Sequence, residues 1–458
     1  MPGKIDVKKL LVESAPIFAI LIGVALVSFS LGPYQTYDTQ MEFEAASNVL
    51  KMGVPYVKVF GTVIDQPPLG FYIEAFFFKI FGTSLNTGVT LVTSFGLGSV
   101  VLMYLLGKQL YGKTAGFLAA ALFGLSPWQL VLSRSFLIDS QCLFLSLLCL
   151  FTGFLGIRKG SVKLTLVSGL VFAAAFLTKF FAVFILIPLA LFFIYSRPKQ
   201  AKQTISQLAA FLLPVILFSF LWYTVFLGRS LLSVLNNNNF TSPIPASTHV
   251  VASQFFITNF LVNYGVGIYF FAATVFSLVL GFSLRKQFPK LFTVDVICLV
   301  TVTVVLVFNF VLGFALNLEV PYISAIKYDF QALPFLVLLV ASLATKSLTV
   351  FGAAKSKVNL KKLLLYLAGA FAVAFFVASL ISNVYYTNAV STLSYLQYRV
   401  EPQVNYGYAL STTTPLTANS PLMVIQYLGF TVALGGFLYG TGAARSLYLI
   451  GKRIWEGW

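Results

Sequence analysis

LVESAPIFAILIGVALVSFSL, residues 11–31, is a near-unbroken apolar run long enough to cross a bilayer as one helix, and eleven comparable runs follow it. They fall near 86–107, 114–132, 136–156, 164–178, 180–195, 207–227, 259–283, 294–316, 330–345, 363–383 and 421–443. Working outward from the first run, the whole 458-residue chain is 59% hydrophobic and only 9% charged. A soluble domain is charged at roughly a quarter of its positions. Folded in water this chain would expose large apolar patches, so lipid is its solvent. The expectation is an all-α polytopic membrane protein of about twelve transmembrane helices, with residues 1–458 forming a single membrane domain. The first run is too long for the apolar core of a signal peptide, and it reads as a retained helix.

A formal net charge of +17 raises the question of nucleic acid. The basic residues are dispersed over many short loops and form no patch, which argues against a nucleic-acid partner. The positive-inside rule accounts for them better. With the N-terminus and C-terminus cytoplasmic, all but eight of the 30 basic residues fall on the inner side. The eight are Lys51, Lys58, Lys79, Arg134, Lys179, Arg229, Lys327 and Arg399. Lys346 and Asp295 count as inner. The acids sort the other way: Asp38, Glu42, Glu44, Asp65, Glu74, Asp139, Glu319, Asp329 and Glu401 are outer. Three cysteines, all inside apolar runs, give no disulfide framework.

Three outer segments are long enough to carry structure: 32–85, 228–258 and 384–420. In the first, Thr39 followed by Glu42 has the spacing of a capping box. Met41, Ala45 and Val49 then share one face, which predicts an amphipathic helix lying in the membrane interface. Gly53 and Pro55 end it, and Asp38 stands just before its start. Downstream, Asp65-Gln66-Pro67-Pro68-Leu69-Gly70 makes a rigid corner, because two prolines forbid regular helix before them. The apolar stretch Phe71 to Phe81 predicts a second interfacial helix.

These residues, in this order, resemble the first outer loop of the polyprenyl-phosphate-sugar glycosyltransferases of the C-type superfamily. That group includes the protein O-mannosyltransferases and the aminoarabinose lipid A transferases. Ser133-Arg134-Ser135-Phe136-Leu137-Ile138-Asp139-Ser140 is similar to a Ser-Arg…Leu-Leu-Asp-Ser segment of the mannosyltransferases. Gly169 to Lys179, ending Leu177-Thr178-Lys179, and Lys327-Tyr328-Asp329-Phe330-Gln331-Ala332-Leu333-Pro334 also have counterparts there. The clear likeness covers about residues 30–200.

The resemblance implies an enzyme that takes a sugar from a polyprenyl-phosphate carrier and moves it, with inversion, to a non-cytoplasmic acceptor. The acceptor would be a glycan, glycolipid or protein, with a lipid-linked glycan or glycolipid expected. It also implies roles. Asp38 would act as general base, with Asp139 as a second catalytic carboxylate that orders Arg134 or contacts the sugar. Arg134, Lys179 and Lys327 would meet the donor phosphate, and Asp65, Gln66 and Tyr328 would line the donor and acceptor site. Some relatives hold a divalent metal through an acid before Pro-Pro and a distant histidine. Asp65 and His249, the only histidine, stand in those places. Asp38-Thr39 departs from the usual Asp-Glu, and Gln66 stands where relatives often carry His or Lys. A polytopic transporter or a lipid-linked-oligosaccharide flippase is the competing class.

Overall fold

The computed structural model describes residues 7–30, 37–58, 61–64, 66–196, 201–226, 275, 278–279, 281–282, 285–286, 288–315, 330–352 and 421–442. In chain order the helices are α1 (Val7–Ser30), α2 (Tyr37–Met52), α3 (Leu69–Phe81), α4 (Leu85–Tyr111), α5 (Lys113–Gly124), α6 (Pro127–Leu132), α7 (Ile138–Lys159) and α8 (Val162–Thr178). They continue with α9 (Leu186–Ser196), α10 (Ala201–Phe220), α11 (Pro289–Ala315), α12 (Leu333–Gly352) and α13 (Pro421–Thr441). Among the described residues six helical segments are long and apolar enough to cross a membrane, and shorter apolar helices lie between them. The chain is an all-α polytopic membrane protein. Two of the twelve expected spans are broken: 114–132 divides into α5 and α6, and 180–195 begins as a 3-10 turn, Phe180–Ile185, before α9. The expected span at 363–383 and the segments 228–258 and 384–420 lie outside the described residues.

Lipid-facing surface is legible on single helices. On α10, Leu208, Leu212 and Ile216 are exposed at four-residue spacing, and on α11 Val300, Val304 and Val307 are exposed. Such apolar stripes at helical period suit hydrocarbon. Polar hydroxyls on the spans are consumed internally, as with Thr90, Thr152 and Thr431, each donating to a carbonyl one turn back. That removes an unpaired donor from an apolar medium. The first and last described helices pack closely because small residues line the seam. A Cβ on Gly429 would stand 2.7 Å from the Gly23 carbonyl, and one on Gly436 would stand 2.7 Å from the Pro16 carbonyl.

The segment after α1 forms the two predicted short helices, with an addition between them. Tyr56–Val57 (β1) and Thr62–Val63 (β2) pair antiparallel, Tyr56 opposite Val63. Asn48 Nδ2 donates to the Tyr56 carbonyl at 2.7 Å, and the Tyr72 hydroxyl donates to the Gly53 carbonyl at 2.8 Å. The α2–β1–β2–α3 segment is therefore tied to itself. Asp38 lies inside the first turn of α2, not before it. The face Met41, Ala45 and Val49 packs on Val57, Phe71 and Ile138. It meets protein where an interfacial helix was expected to meet lipid, and this fixes α2 against the start of α7.

Candidate functional site

Four chain breaks converge at one end of the bundle: the start of α2, the corner before α3, the turn between α6 and α7, and the end of α8. The α6–α7 turn is the stretch 133–137. It holds its shape through short-range bonds: Leu137 N donates to the Ser135 carbonyl at 2.7 Å, and Ser140 Oγ to the Leu132 carbonyl at 3.1 Å. Thr93 of α4 donates to the Ser133 carbonyl at 2.8 Å. The backbone carbonyls of Ser133 and Ser135 and the Ser140 hydroxyl thus hold the turn that presents Arg134. Its guanidinium is buried, donates to Thr93 Oγ1 at 3.4 Å and lies 5.4 Å from the Phe29 ring centroid.

Helix α7 starts at Leu137–Ile138 with no side-chain cap of its own. The cap comes from elsewhere in the chain. Glu42 Oε2, on α2, accepts from Ile138 N at 2.8 Å. A carboxylate there satisfies an orphan N–H and meets the positive end of the helix dipole. Asp139 occupies the first turn of the same helix and benefits from the same field. Its two oxygens accept from Lys179 Nζ at 2.8 and 2.7 Å. Lys179 is the residue that ends α8, in extended conformation. Its own carbonyl lies 3.8 Å from Cys142 Sγ, which in turn accepts from Gln331 Nε2 at 3.7 Å. Gln331 belongs to the 3-10 turn Phe330–Ala332 that leads into α12.

Glycine explains how α3 comes this close. A Cβ on Gly70 would stand 2.5 Å from Ile138 Cγ2 and 3.3 Å from Thr178 Cγ2. Only a residue without a side chain lets α3 lie against both the start of α7 and the end of α8. The Pro-Pro-Leu-Gly corner, which carries the exposed Gln66, is held through Gly70 against the neighbours of Asp139 and Lys179, Ile138 and Thr178.

Of the residues singled out by sequence, Asp38, Arg134, Asp139, Lys179 and Gln66 are on elements joined here. Asp38 is half-buried, one turn before Glu42 on α2. The carboxylate of Asp139 grips Lys179. Asp65, Lys327, Tyr328 and His249 lie outside the described residues. Among the described residues no group of three His, Cys, Asp or Glu side chains is arranged to hold a metal ion.

The site candidates read from the sequence do not include Thr93, Gln141 or Gln331, and they count Glu42 only as the capping-box partner of Thr39 and an outer acid, and Glu74 only as an outer acid. Glu42 had a signal: it is four residues after Asp38, on the same helix face. Glu74 had one as well, as the sole acid in the apolar stretch of α3. It is fully buried, and Gln141 Nε2 donates to its Oε1 at 2.8 Å. Burial first, and then the charge of Glu42, push the Glu74 carboxyl well above the usual carboxylate range.

Comparison with known proteins bears out the likeness read from the motifs. Residues 65–223 match the family described as dolichyl-phosphate-mannose-protein mannosyltransferase. Over 160 residues the chain is 29% identical to YkcB of Bacillus subtilis (strain 168), covering 35% of this chain and 22% of that protein. Over 163 residues it is 28% identical to YycA of the same organism, covering 35% of this chain and 23% of the relative. Both relatives carry mannosyltransferase in their names. The match therefore spans less than a quarter of either relative. A crystal structure of ArnT from Cupriavidus metallidurans in the apo state superposes with a TM-score of 0.48 at 14% identity, covering 93% of this chain and 77% of that one.

Proposed function

We propose, from the match of residues 65–223 to the mannosyltransferase family and from the cluster around Asp139 and Lys179, that this chain is an inverting glycosyltransferase. It takes a mannose-like sugar, or another hexose or pentose, from a polyprenyl-phosphate carrier. It passes the sugar to an acceptor on the non-cytoplasmic side, a lipid-linked glycan or glycolipid. The supporting observation is the Glu42–Ile138 bond, which ties the helix carrying Asp38 to the helix end carrying Asp139 and hence to Lys179.

The chemistry follows from what each group can do. The acceptor hydroxyl oxygen forms a bond to the anomeric carbon as the bond from that carbon to the phosphate oxygen breaks. Asp38, half-buried and at the α2 terminus, takes the hydroxyl proton as general base. The phosphate leaves with the electron pair and needs positive charge. Arg134 offers a planar fork suited to phosphate oxygens, and Lys179 offers a point charge. Asp139 aims Lys179 and offsets its charge until the donor phosphate takes it over. Gln66, on the corner before α3, hydrogen-bonds donor or acceptor, with Asp65 and Tyr328 in the same role and Lys327 a further positive charge for the phosphate, as the family likeness suggests.

The test is transfer by purified protein from polyprenyl-phosphate sugars to candidate lipid acceptors. Asp38→Asn keeps the size and removes the base, so transfer is expected to disappear while the protein still purifies as folded. Full activity in that variant would exclude Asp38 as the base. A transporter would instead move label across vesicles without forming a glycosidic product.

A further inference from the structure

Helix α3 reads Leu-Gly-Phe-Tyr-Ile-Glu-Ala-Phe-Phe-Phe-Lys-Ile-Phe, an interfacial helix whose acid, Glu74, is 0% exposed. Its Oε1 accepts from Gln141 Nε2 at 2.8 Å. The other two polar atoms of this pair, Glu74 Oε2 and Gln141 Oε1, are both buried and both without a partner. With the carboxyl ionised, each is an acceptor, and no exchange of acceptors can satisfy the two together. A single proton on Glu74 Oε2 turns that atom into a donor. The acid then faces the amide as a ring of two hydrogen bonds, and both orphan atoms are satisfied at once. An acid that is buried and unpaired with a cation takes up a proton in this way.

We propose that Glu74 is held as a neutral carboxylic acid in a cyclic pair with Gln141, so that it acts as a positioning residue for the site at the start of α7. Its place in the fold gives the pair that role. Gly70 touches Ile138 and, one turn on, Glu74 touches Gln141, so α3 lies along the first turn of α7 with two fixed points. The first turn of α7 carries Asp139, and the corner before α3 carries Gln66. That the site transfers sugar is the reading of the preceding section, and the functional half of this inference rests on it.

The charges around Glu74 explain why the proton stays. Helices α2, α4, α7 and α8 pack on α3. Their charged residues are Asp38, Glu42, Glu44 and Lys51 on α2, Lys108 on α4, Asp139, Arg158 and Lys159 on α7, and Lys163 on α8 with Lys179 at its end; α3 itself adds Lys79. Lys179 is taken by Asp139. Glu42 is the charge that acts on Glu74, and it disfavours a second carboxylate. Glu42 itself is engaged as the cap of α7, its Oε2 accepting from Ile138 N.

The sign of the pH effect follows from this. Glu74 ionises more easily in the unfolded chain than in the folded one. Its contribution to stability is complete below the ordinary carboxylate range, about pH 4.3. It falls as pH rises from there toward the raised folded value. Beyond that value the ring opens, Glu42 and Glu74 repel, and α3 loses its second fixed point.

Infrared spectroscopy of the full-length protein in detergent, in light and heavy water, reads the proton directly. At near-neutral pH the wild type is expected to show the carbonyl band of a protonated carboxylic acid. Glu74→Gln removes that band, and Glu42→Gln keeps it. Glu74→Gln preserves the ring as a pair of amides, so its unfolding temperature should match or exceed that of the wild type and stay flat in alkaline solution. The kcat/KM profile should lose its alkaline limb in the same variant, while Gln141→Leu should move that limb. Absence of the band in wild type, its survival in Glu74→Gln, or an equal alkaline loss of stability in that variant overturns the proposal. If no donor supports transfer at all, the proposed reaction fails while the infrared and unfolding results still decide the state of Glu74.

Discussion

Among the described residues two buried ion pairs stand out, and they differ in everything except their chemistry. Asp139 and Lys179 meet where several chain breaks converge, with side chains 4% and 12% exposed. Asp295 of α11 and Lys346 of α12 meet with both side chains 1% exposed. The second pair is closed by Tyr111, whose hydroxyl donates to Asp295 Oδ1 at 3.0 Å and lies 3.9 Å from Cys298 Sγ. Tyr111 ends α4, while Thr93, the contact of Arg134, lies near the start of that helix. The two places are thus roughly 27 Å apart along α4 at about 1.5 Å per residue. The first pair sits on helix termini and a glycine-fitted corner, where backbone polar groups need outside partners. The second sits between continuous helices with its partners already within reach. The sealed pair has the form of a clamp joining α4, α11 and α12, and the open pair has the form of a site.

The largest contrast is expected from single substitutions. Asp139→Asn or Lys179→Met should lower transfer by about a hundredfold or more, in line with the loss of one preorganised charge partner. The protein should remain folded, because Lys179 keeps partial access to solvent and the start of α7 favours the Asp139 carboxylate. Asp295→Asn or Lys346→Met should leave transfer per folded molecule unchanged and lower stability by about 3–5 kcal/mol, since an unpaired charge stays sealed in the bundle. Detergent-solubilised yield and unfolding temperature read the second effect, and single-turnover transfer reads the first. Equal loss of transfer at both places would erase the distinction.

A smaller effect separates charge from packing. Replacing both members of the sealed pair by apolar groups, as in Asp295→Leu with Lys346→Met, should recover most of the lost stability, because such pairs exchange for packed hydrocarbon at little cost. The same exchange at the open pair, Asp139→Leu with Lys179→Met, should restore stability and leave transfer absent. Recovery of transfer by the second double variant would show that the open pair is also only a clamp.

The sealed pair also shows where reading the sequence stops. Hydropathy ends a span at a charge, so Asp295 and Lys346 stand at the inner limits of the runs 294–316 and 330–345. The helices α11 and α12 extend beyond both residues, because each charge neutralises the other and neither leaves water alone. The spans themselves were legible, since their signal is local and repeated. So were the chain breaks that carry Asp38, Asp139 and Arg134, because each interrupts or adjoins an apolar run. The Glu42 cap was not, because Ile138 is 96 residues away and no local pattern announces it. The β1–β2 hairpin was missed for the opposite reason: two-residue strands carry too few positions for alternation to register. The Gly in Pro-Pro-Leu-Gly has no local signature of its own, and its neighbours show it to be a packing contact.

That glycine supplies the finest probe, because each ion pair has one beside it. A Cβ on Gly70 would stand 2.5 Å from Ile138 Cγ2, a distance that forces α3 or α7 to move. A Cβ on Gly281 would stand 3.1 Å from both Asp295 Oδ2 and Lys346 Nζ, which are ends of side chains and can yield by a few tenths of an ångström. Gly70→Ala should therefore cost about 1–3 kcal/mol of stability, the range for overpacking a fitted contact. It should also lower transfer, since the moved element carries either the Gln66 corner or Asp139. Gly281→Ala should cost less than about 1 kcal/mol and leave transfer intact, because helix propensity favours Ala while the added methyl group only crowds the pair. Thermal unfolding and transfer rates of the two variants, measured side by side, check this. A neutral Gly70→Ala would mean that α3 does not fix the start of α7, and the open pair would then owe its geometry to Glu42 alone.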